Sequence, residues 1–529
     1  MPLNKEQLLA VRSQADRILC LAGAGAGKSA TMLERISRLV SKGVEPASIL
    51  ALTFTNAAAA EMKGRYEVKH IGEEVPEFRT FHSFCYSVVC KDAAVRAALG
   101  YENVPGIASE EQAKAIADKA KLQCNITISN DRLQNRTDLS KKEQFQAELY
   151  DKAVNRLMRA ENVITFDELN SRVAELFASG NTSTTPYKDQ YKYIFVDEFQ
   201  DTDNFQIKFL NSFPNTNFYF CGDCLQNIYS FRGTSNEYIK ALANTPGWHK
   251  IKLFTNYRST NQICNYANEF SEKYADASYR IAMQGTRDGE KVITKRVDGP
   301  ARYDAINPND VDDVLTELSK LSGTSAILCR TNKEVYAVTA QLKAQGVDFA
   351  TSKDTKIQKL IECAISDSYT VGYLAAQLPT QKYGEYIRLS TQSGGMELAE
   401  FIKRYGSLSQ IREAMRQIDN IKTIASSNSS TDSKISEFFK ETGISVKNTG
   451  AQYIGGSFLK YLQEHLSEAS SSELYVGTIH SVKGLEYDNV FVMNVGSYNF
   501  KLTTEEMKNL FYVAITRAKN RLYVYKLFE

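Results

Sequence analysis

Ile18-Leu19-Cys20-Leu21-Ala22-Gly23-Ala24-Gly25-Ala26-Gly27-Lys28-Ser29 is the stretch that decides the fold. Ile18 to Leu21 is a short apolar run, a Gly/Ala-rich turn follows, and Thr31 to Val40 carries helical spacing. A strand that passes through such a turn into a helix gathers unpaired backbone N–H groups and the positive helix end at one point, where a phosphate binds. In that arrangement Ala22, Gly23, Ala24, Gly25, Ala26 and Gly27 cradle phosphates, Lys28 reaches the β/γ-phosphates and Ser29 binds Mg²⁺. The first position is Ala22, not the Gly of the usual pattern. The competing reading is a small-residue turn that happens to precede a helix.

Further short apolar runs lie on either side in the chain. Ile49–Thr53, Tyr193–Val196 and Phe218–Cys221 read as strands of the same sheet, and alternation with helices makes that sheet parallel α/β. Its function belongs at the carboxyl ends of the strands. Ser325–Cys329, Asn489–Asn494 and Arg521–Tyr525 read as strands of a second α/β core. Two intervals differ: residues 91–185 and 346–470 read as mostly helical, the latter with an exposed Ser/Asn/Thr-rich loop from Ser426 to Ser433. The expected organisation is a first core from 1–90 and 186–250, a helical insertion at 91–185, a second core from 251–345 and 471–529, and a second insertion at 346–470.

Composition bounds the class. A chain of 529 residues is too long for one ordinary core. Its 43% hydrophobic and 24% charged residues are the balance of a soluble globular protein. The sequence has no membrane-length apolar run, and the order of a secretory signal is missing from Met1 to Glu6, so a cytoplasmic protein is expected. The net charge of +2 argues against binding by bulk positive charge, while 64 Lys and Arg leave room for a local basic channel. Nine cysteines, an odd number, fit reduced thiols better than a disulfide framework. Cys221 and Cys224 form one CxxC without a second pair at suitable spacing, which argues against a structural metal.

A second signal is Val196-Asp197-Glu198-Phe199-Gln200-Asp201 at the end of an apolar run. Downstream of a phosphate loop, Asp197 is placed to hold Mg²⁺ and Glu198 to orient and deprotonate the attacking water. Phosphoryl transfer also needs positive charge at the γ-phosphate. Arg258, in Asn256-Tyr257-Arg258-Ser259, and Arg517, in Ala514-Ile515-Thr516-Arg517-Ala518, are the candidates, each weighed against an ordinary surface charge.

These motifs together resemble superfamily 1 helicases of the UvrD/Rep/PcrA type, in a short form. Leu3-Asn4-x-x-Gln7 resembles the adenine-reading Q motif, and Ala22 to Ser29 motif I. Leu52 to Asn56, followed by Ala57 to Met62, resembles motif Ia, and Thr80-Phe81-His82-Ser83-Phe84 motif Ib. Asp197 to Thr202 is similar to motif II, and Gly222 to Gly233, with Asp223, Gln226, Tyr229, Phe231 and Arg232, to motif III. Asn256 to Ser259 resembles motif IV, Thr478-Ile479-His480-Ser481-Val482-Lys483-Gly484-Leu485-Glu486 motif V, and Glu505 through Ala518 motif VI.

The resemblance implies two RecA-like P-loop motor domains, each interrupted by a helical accessory insertion, with ATP and Mg²⁺ in the cleft between them. It implies that Gln226 senses the γ-phosphate, that Arg258 and Arg517 reach that phosphate from the second motor domain, that Glu486 contacts the ribose, and that Gln7 and Tyr257 complete the nucleotide site. It places Phe54, Tyr229 and Phe231 against bases of single-stranded DNA, with Thr55, Asn56, Thr80, His82, Arg232 and His480 along the strand. A sequence-tolerant motor needs such aromatic faces, each worth about 1–3 kcal/mol per base. Tyr229 and Phe231 alternate, so a strand would send both to one face, against core packing as the alternative.

Phe231 stands where relatives carry Trp, and Ala57 where they often carry Lys. The only tryptophan, Trp248, lies outside the motifs and reads as packing. Between Arg330 and Tyr475 there is room only for a reduced second insertion, and no nuclease-like extension is expected after Glu529. The expected function is ATP-dependent 3′→5′ translocation and unwinding of tailed duplex DNA in replication, repair or recombination. The alternatives are a nucleotide-gated DNA-binding partner of a nuclease or replisome, from a phage or defence system, that barely unwinds, and an ATP-binding protein acting without nucleic acid.

Overall fold

The computed structural model describes residues 3–108, 110–129, 132–133, 136, 139–229, 234–297, 306–351 and 473–527, with scattered positions between 371 and 415. The Ser426–Ser433 loop expected from composition lies outside the described residues.

The first sheet is built from β1 (Arg17–Ala22), β2 (Ile49–Thr53), β3 (Glu77–Thr80), β4 (Tyr193–Val196), β5 (Asn217–Gly222) and β6 (His249–Leu253). Their order across the sheet is β3-β2-β4-β5-β1-β6, and every pairing is parallel. The sequence explains why these strands form here. Leu19, Leu21, Leu50, Leu52, Ile194, Val196, Phe218 and Phe220 enter one buried cluster. Their alternates Ile18, Cys20, Ile49, Ala51, Phe195, Tyr219 and Cys221 enter another. Side chains alternate across a strand, so burial on both faces demands the continuous apolar runs seen in the sequence. β6 pairs with β1, which carries the first core to Leu253 rather than to residue 250.

The second sheet comprises β7 (Ile293–Arg296), β8 (Ser325–Cys329), β9 (Ala350–Thr351), β10 (Leu474–Thr478), β11 (Tyr487–Val495) and β12 (Ala518–Lys526). Its order is β7-β12-β11-β8-β10-β9, again all parallel. Ile327 and Cys329 pack on one face with Val314, Val338 and Leu342, whereas Ala326 and Leu328 face the other way. That other face joins the same apolar cluster as the first sheet. Leu21, Leu52, Phe220 and Ile228 share it with Val482, Val490, Leu510, Phe511 and Val513, so one buried core runs through both α/β bodies.

The first insertion is largely helical, with Glu110–Gln123, Lys141–Ala160 and Phe166–Ala178 as its main helices. Each of the latter two begins at a side-chain cap, Ser140 and Thr165. It also contains a two-residue strand pair, Gly106–Ile107 with Val163–Ile164, which the helical reading did not anticipate. In the second insertion the described residues include Val371, Leu374, Phe401, Tyr405 and Ile411, packed into a cluster of their own. Trp248 stacks near Phe218 and Phe220, with ring centroids 6.5 and 5.0 Å away, as a packing residue.

Candidate nucleotide site and nucleic-acid face

The loop after β1 turns in two left-handed glycine conformations, Gly25 at φ +67° and Gly27 at φ +74°, after which the helix Lys28–Ser41 begins. Residues with a Cβ rarely adopt that region, which is why glycine stands at both places. Three neighbours hold the loop. Gln7 donates from Nε2 to the Ala26 carbonyl at 3.2 Å, Asn256 from Nδ2 to the Ala24 carbonyl at 2.8 Å, and the Tyr257 amide to the Gly25 carbonyl at 3.0 Å. Gln7 also closes a capping box with Asn4. The residue expected to read adenine therefore also braces the phosphate loop. A Cβ at Gly25 would meet the Arg258 Cβ at 2.7 Å, so glycine permits the close approach of the Asn256–Arg258 segment as well.

β4 delivers the acids. Ser29 Oγ donates to Asp197 Oδ2 at 2.8 Å. Two oxygens bound at right angles on an octahedral Mg²⁺ lie about 3 Å apart, so this hydroxyl and carboxylate suit neighbouring positions on that ion. Among the described residues no group of three or more His, Cys, Asp and Glu could hold a metal. One hydroxyl and one carboxylate fit Mg²⁺, which keeps waters and phosphate oxygens as its remaining ligands. Glu198 follows at φ +51°, a left-handed conformation unusual for a residue with a side chain, and the Lys28 ammonium lies 3.8 Å from its Oε1. Burial and the adjacent Glu198 carboxylate push Asp197 up. Burial would also raise Glu198, but Lys28, Lys483, Gln200 and Arg517 together outweigh it and hold that carboxyl low. The candidate base is thus ionised at neutral pH, whereas the buried Asp197 gains most from a cation beside it.

The arginines approach from the second core. Arg517 is 2% exposed and donates to the carbonyls of Val513 and Leu485, at 3.1 and 3.2 Å, and to Gln226 Oε1 at 3.3 Å. Gln226 in turn donates to Asp223 Oδ2 at 2.8 Å. Burial and the neighbouring Arg258 charge lower the Arg517 pKa. A guanidinium nonetheless stays charged at neutral pH. Arg258 donates from Nε to Glu486 Oε2 at 2.6 Å and from Nη1 to the Thr516 carbonyl at 3.2 Å. Glu486, expected at the ribose, is thus an ion partner of Arg258 here, and also of Lys519 at 3.1 Å.

The strand-facing candidates divide. Phe54 and Tyr229 stack, with centroids 5.4 Å apart and planes within 9°, and His480 lies 6.3 Å from Tyr229. Tyr229 is not in a strand, contrary to the reading from alternation: it follows a short 3₁₀ turn, Cys224–Gln226, whose residues are buried. Phe231 and Arg232 lie outside the described residues, as does the side chain of Asn56. Thr55 and Thr80 each cap a helix N-terminus, accepting from Ala58 and Ser83 backbone N–H groups at 3.1 Å. His82 packs edge-on against Phe166 of the first insertion at 5.7 Å. Burial lowers the pKa of both His82 and His480.

Residues inside the quoted motifs but given no role complete the site. Gln200 donates from Nε2 to Glu198 Oε2 at 2.6 Å and accepts from the Asp223 amide at 3.0 Å. Asp201 is 1% exposed, pushed up to about 6 by burial, and pairs with Lys483 from the second core. The motif stretches contained all of them, yet only the folded structure shows which touch.

A phosphate-cradling loop, an adjacent acid pair and arginines supplied by a second parallel α/β core define a two-core P-loop nucleoside triphosphatase. The chain matches the model of the UvrD/REP helicase N-terminal domain over residues 3–246 and that of the UvrD-like helicase C-terminal domain over 251–366 and 372–527. It belongs to the UvrD/REP helicase family. Relatives include the ATP-dependent DNA helicase PcrA of Staphylococcus epidermidis, 26% identical over 99% of this chain and 83% of that protein. The PcrA of Staphylococcus aureus is 32% identical over 63% of this chain and 48% of its own length. A protein of Mycoplasma capricolum named "Probable DNA helicase II homolog" is 32% identical over 55% of this chain. The alignment spans 44% of that protein. No helix among the described residues is long and apolar enough to cross a membrane.

Proposed function

We propose that the chain is an ATP-driven motor that travels 3′→5′ along single-stranded DNA and opens tailed duplexes, in the cytoplasm, in replication, repair or recombination. The observation that carries this reading is the Arg517–Gln226 hydrogen bond, which joins the second core to the first beside Glu198. A side chain from one body lying at the acid pair of the other is what converts cleft closure into catalysis.

In this reading the loop from Ala22 to Gly27 and the Lys28 ammonium hold the β/γ-phosphates. Ser29 and Asp197 would hold Mg²⁺, which neutralises phosphate charge. Glu198 orients the attacking water and takes its proton. Arg258 exchanges Glu486 for the γ-phosphate as the cores close, and Arg517 joins it there. Gln226 registers that phosphate through the Arg517 and Asp223 bonds. Gln7 and Tyr257 border the base, and Glu486, once released, the sugar. Phe54, Tyr229 and Phe231 face bases, with Thr55, Asn56, Thr80, His82, Arg232 and His480 along the strand.

The test measures ATP hydrolysis with and without single-stranded DNA and RNA, then displacement from 3′-tailed and 5′-tailed duplexes. Stimulation by DNA with displacement from the 3′ tail is expected. Stimulation without displacement would instead favour a nucleotide-gated partner of a nuclease or replisome. Hydrolysis indifferent to nucleic acid would remove the motor reading altogether.

A further inference from the structure

Lys483 makes three contacts that no assigned role explains. Its ammonium pairs with the buried Asp201 carboxylate, donates to the Gln226 carbonyl at 3.0 Å, and sits over the Tyr229 ring, 4.5 Å from its centroid. Asp201, Gln226 and Tyr229 belong to the first core, whereas Lys483 follows β10 of the second. On the nucleotide side, Gln200 is within reach of both acids, 2.6 Å from Glu198 Oε2 and 3.5 Å from Asp201 Oδ2. On the other side, Tyr229 is already stacked on Phe54. Phe54 and Lys483 therefore both lie against the Tyr229 ring. An aromatic ring offers only two faces for stacking.

We propose that Lys483 is the positioning residue through which an arriving base reaches the hydrolytic acids. The proposal rests on the motor reading above. A base that stacks on Tyr229 competes with Phe54 and the ammonium for that ring. Displacing the ammonium alters its pairing with Asp201, and the change passes through Gln200 to Glu198. A cation held at once by a carboxylate, a carbonyl and a ring has alternative partners in a strand's phosphates, so the exchange keeps it compensated. Lys483 touches neither nucleotide nor the reacting atoms in this scheme, and its effect is on coupling.

The test compares the ratio of strand-stimulated to strand-free ATP hydrolysis, using oligo(dT), in the full chain and in Lys483→Met. That ratio is expected to fall about tenfold, the ordinary size of a coupling between two sites. The KM for ATP is expected to change less than about threefold, since coupling and nucleotide affinity are separable terms. Lys483→Arg, which keeps the charge, is expected to restore much of the ratio. Asp201→Asn cuts the other end of the link and is expected to lower the ratio likewise. Adding it to Lys483→Met is expected to cause no further loss, because contacting residues couple in a double-mutant cycle. Should Lys483→Met not fold, Asp201→Asn and Lys483→Arg carry the test alone. An unchanged ratio, equal loss of both rates, or additive effects of the two substitutions would overturn the proposal. Absence of stimulation in the unaltered chain would instead overturn the motor reading.

Discussion

Replacing Ser29 by alanine isolates the proposed Mg²⁺ pair, Ser29 and Asp197. The Ser29 Oγ to Asp197 Oδ2 distance of 2.8 Å is close to the spacing of two adjacent ligands on one Mg²⁺. Alanine removes one of those oxygens and leaves Asp197 in place, with the Glu198 amide still donating to its Oδ1 at 3.0 Å. A polar contact to a charged group contributes about 1.5–3 kcal/mol. If water fills the vacated position without the same positioning, that loss becomes roughly a 10- to 150-fold rise in the Mg²⁺ concentration for half-maximal turnover. Turnover at saturating Mg²⁺ falls less, since the loop, Lys28 and Glu198 are untouched. Ser29→Thr keeps the hydroxyl and should follow the unaltered chain. The assay is steady-state ATP hydrolysis across a Mg²⁺ titration at fixed ATP. A half-saturating Mg²⁺ concentration that does not move in Ser29→Ala would refute the assignment of the pair. So would equal loss in Ser29→Thr.

Lys28→Ala removes the ammonium 3.8 Å from Glu198, and Glu198→Gln removes the candidate base; each should lower strand-stimulated hydrolysis at least ~100-fold, and near-normal turnover in both would dismiss the site. Phe177 is fully buried against Phe84, Phe209 and Phe213, so Phe177→Ala should cost about 3–5 kcal/mol of stability in denaturant titrations. Burial would raise the Glu77 carboxyl, but Arg79 and the Tyr191 hydroxyl outweigh it and lower its pKa. A carboxyl depressed by folding stabilises above its ordinary range near 4.5 and loses that contribution as pH falls through the lower folded value. Glu77→Gln should therefore flatten the acid side of the stability profile. An unchanged acid limb would remove this cause.

The two parallel sheets were legible because strands buried on both faces must be apolar at every position. Ile49–Thr53, Tyr193–Val196 and Ser325–Cys329 coincide with their observed bounds for that reason. The pair Gly106–Ile107 and Val163–Ile164 was not legible, since two residues carry no period. Tyr229 misled for a related cause: one polar step between two aromatics mimics strand alternation, while the turn before it is set by the buried Asp223 and Gln226 side chains. The placement of the acids and of the Gly-rich loop at strand ends could be read because it depends on short, contiguous spacing. The partners of Lys483 could not, because Asp201 and Gln226 belong to the other core and are chosen by docking, and the Arg258 partner of Glu486 could not, because it lies 228 residues away.

The apolar cluster that runs through both cores constrains how the motor can open. Parting the two bodies along it would wet Ile228, Val482, Leu510 and Phe511. Exposed apolar surface raises heat capacity, so such an opening would make nucleotide affinity curve with temperature. A rotation that keeps the cluster dry avoids that signature and leaves affinity nearly linear in a van't Hoff plot. In the proposed motor such a seam would work as a greased bearing, resisting separation of the two cores while permitting them to roll.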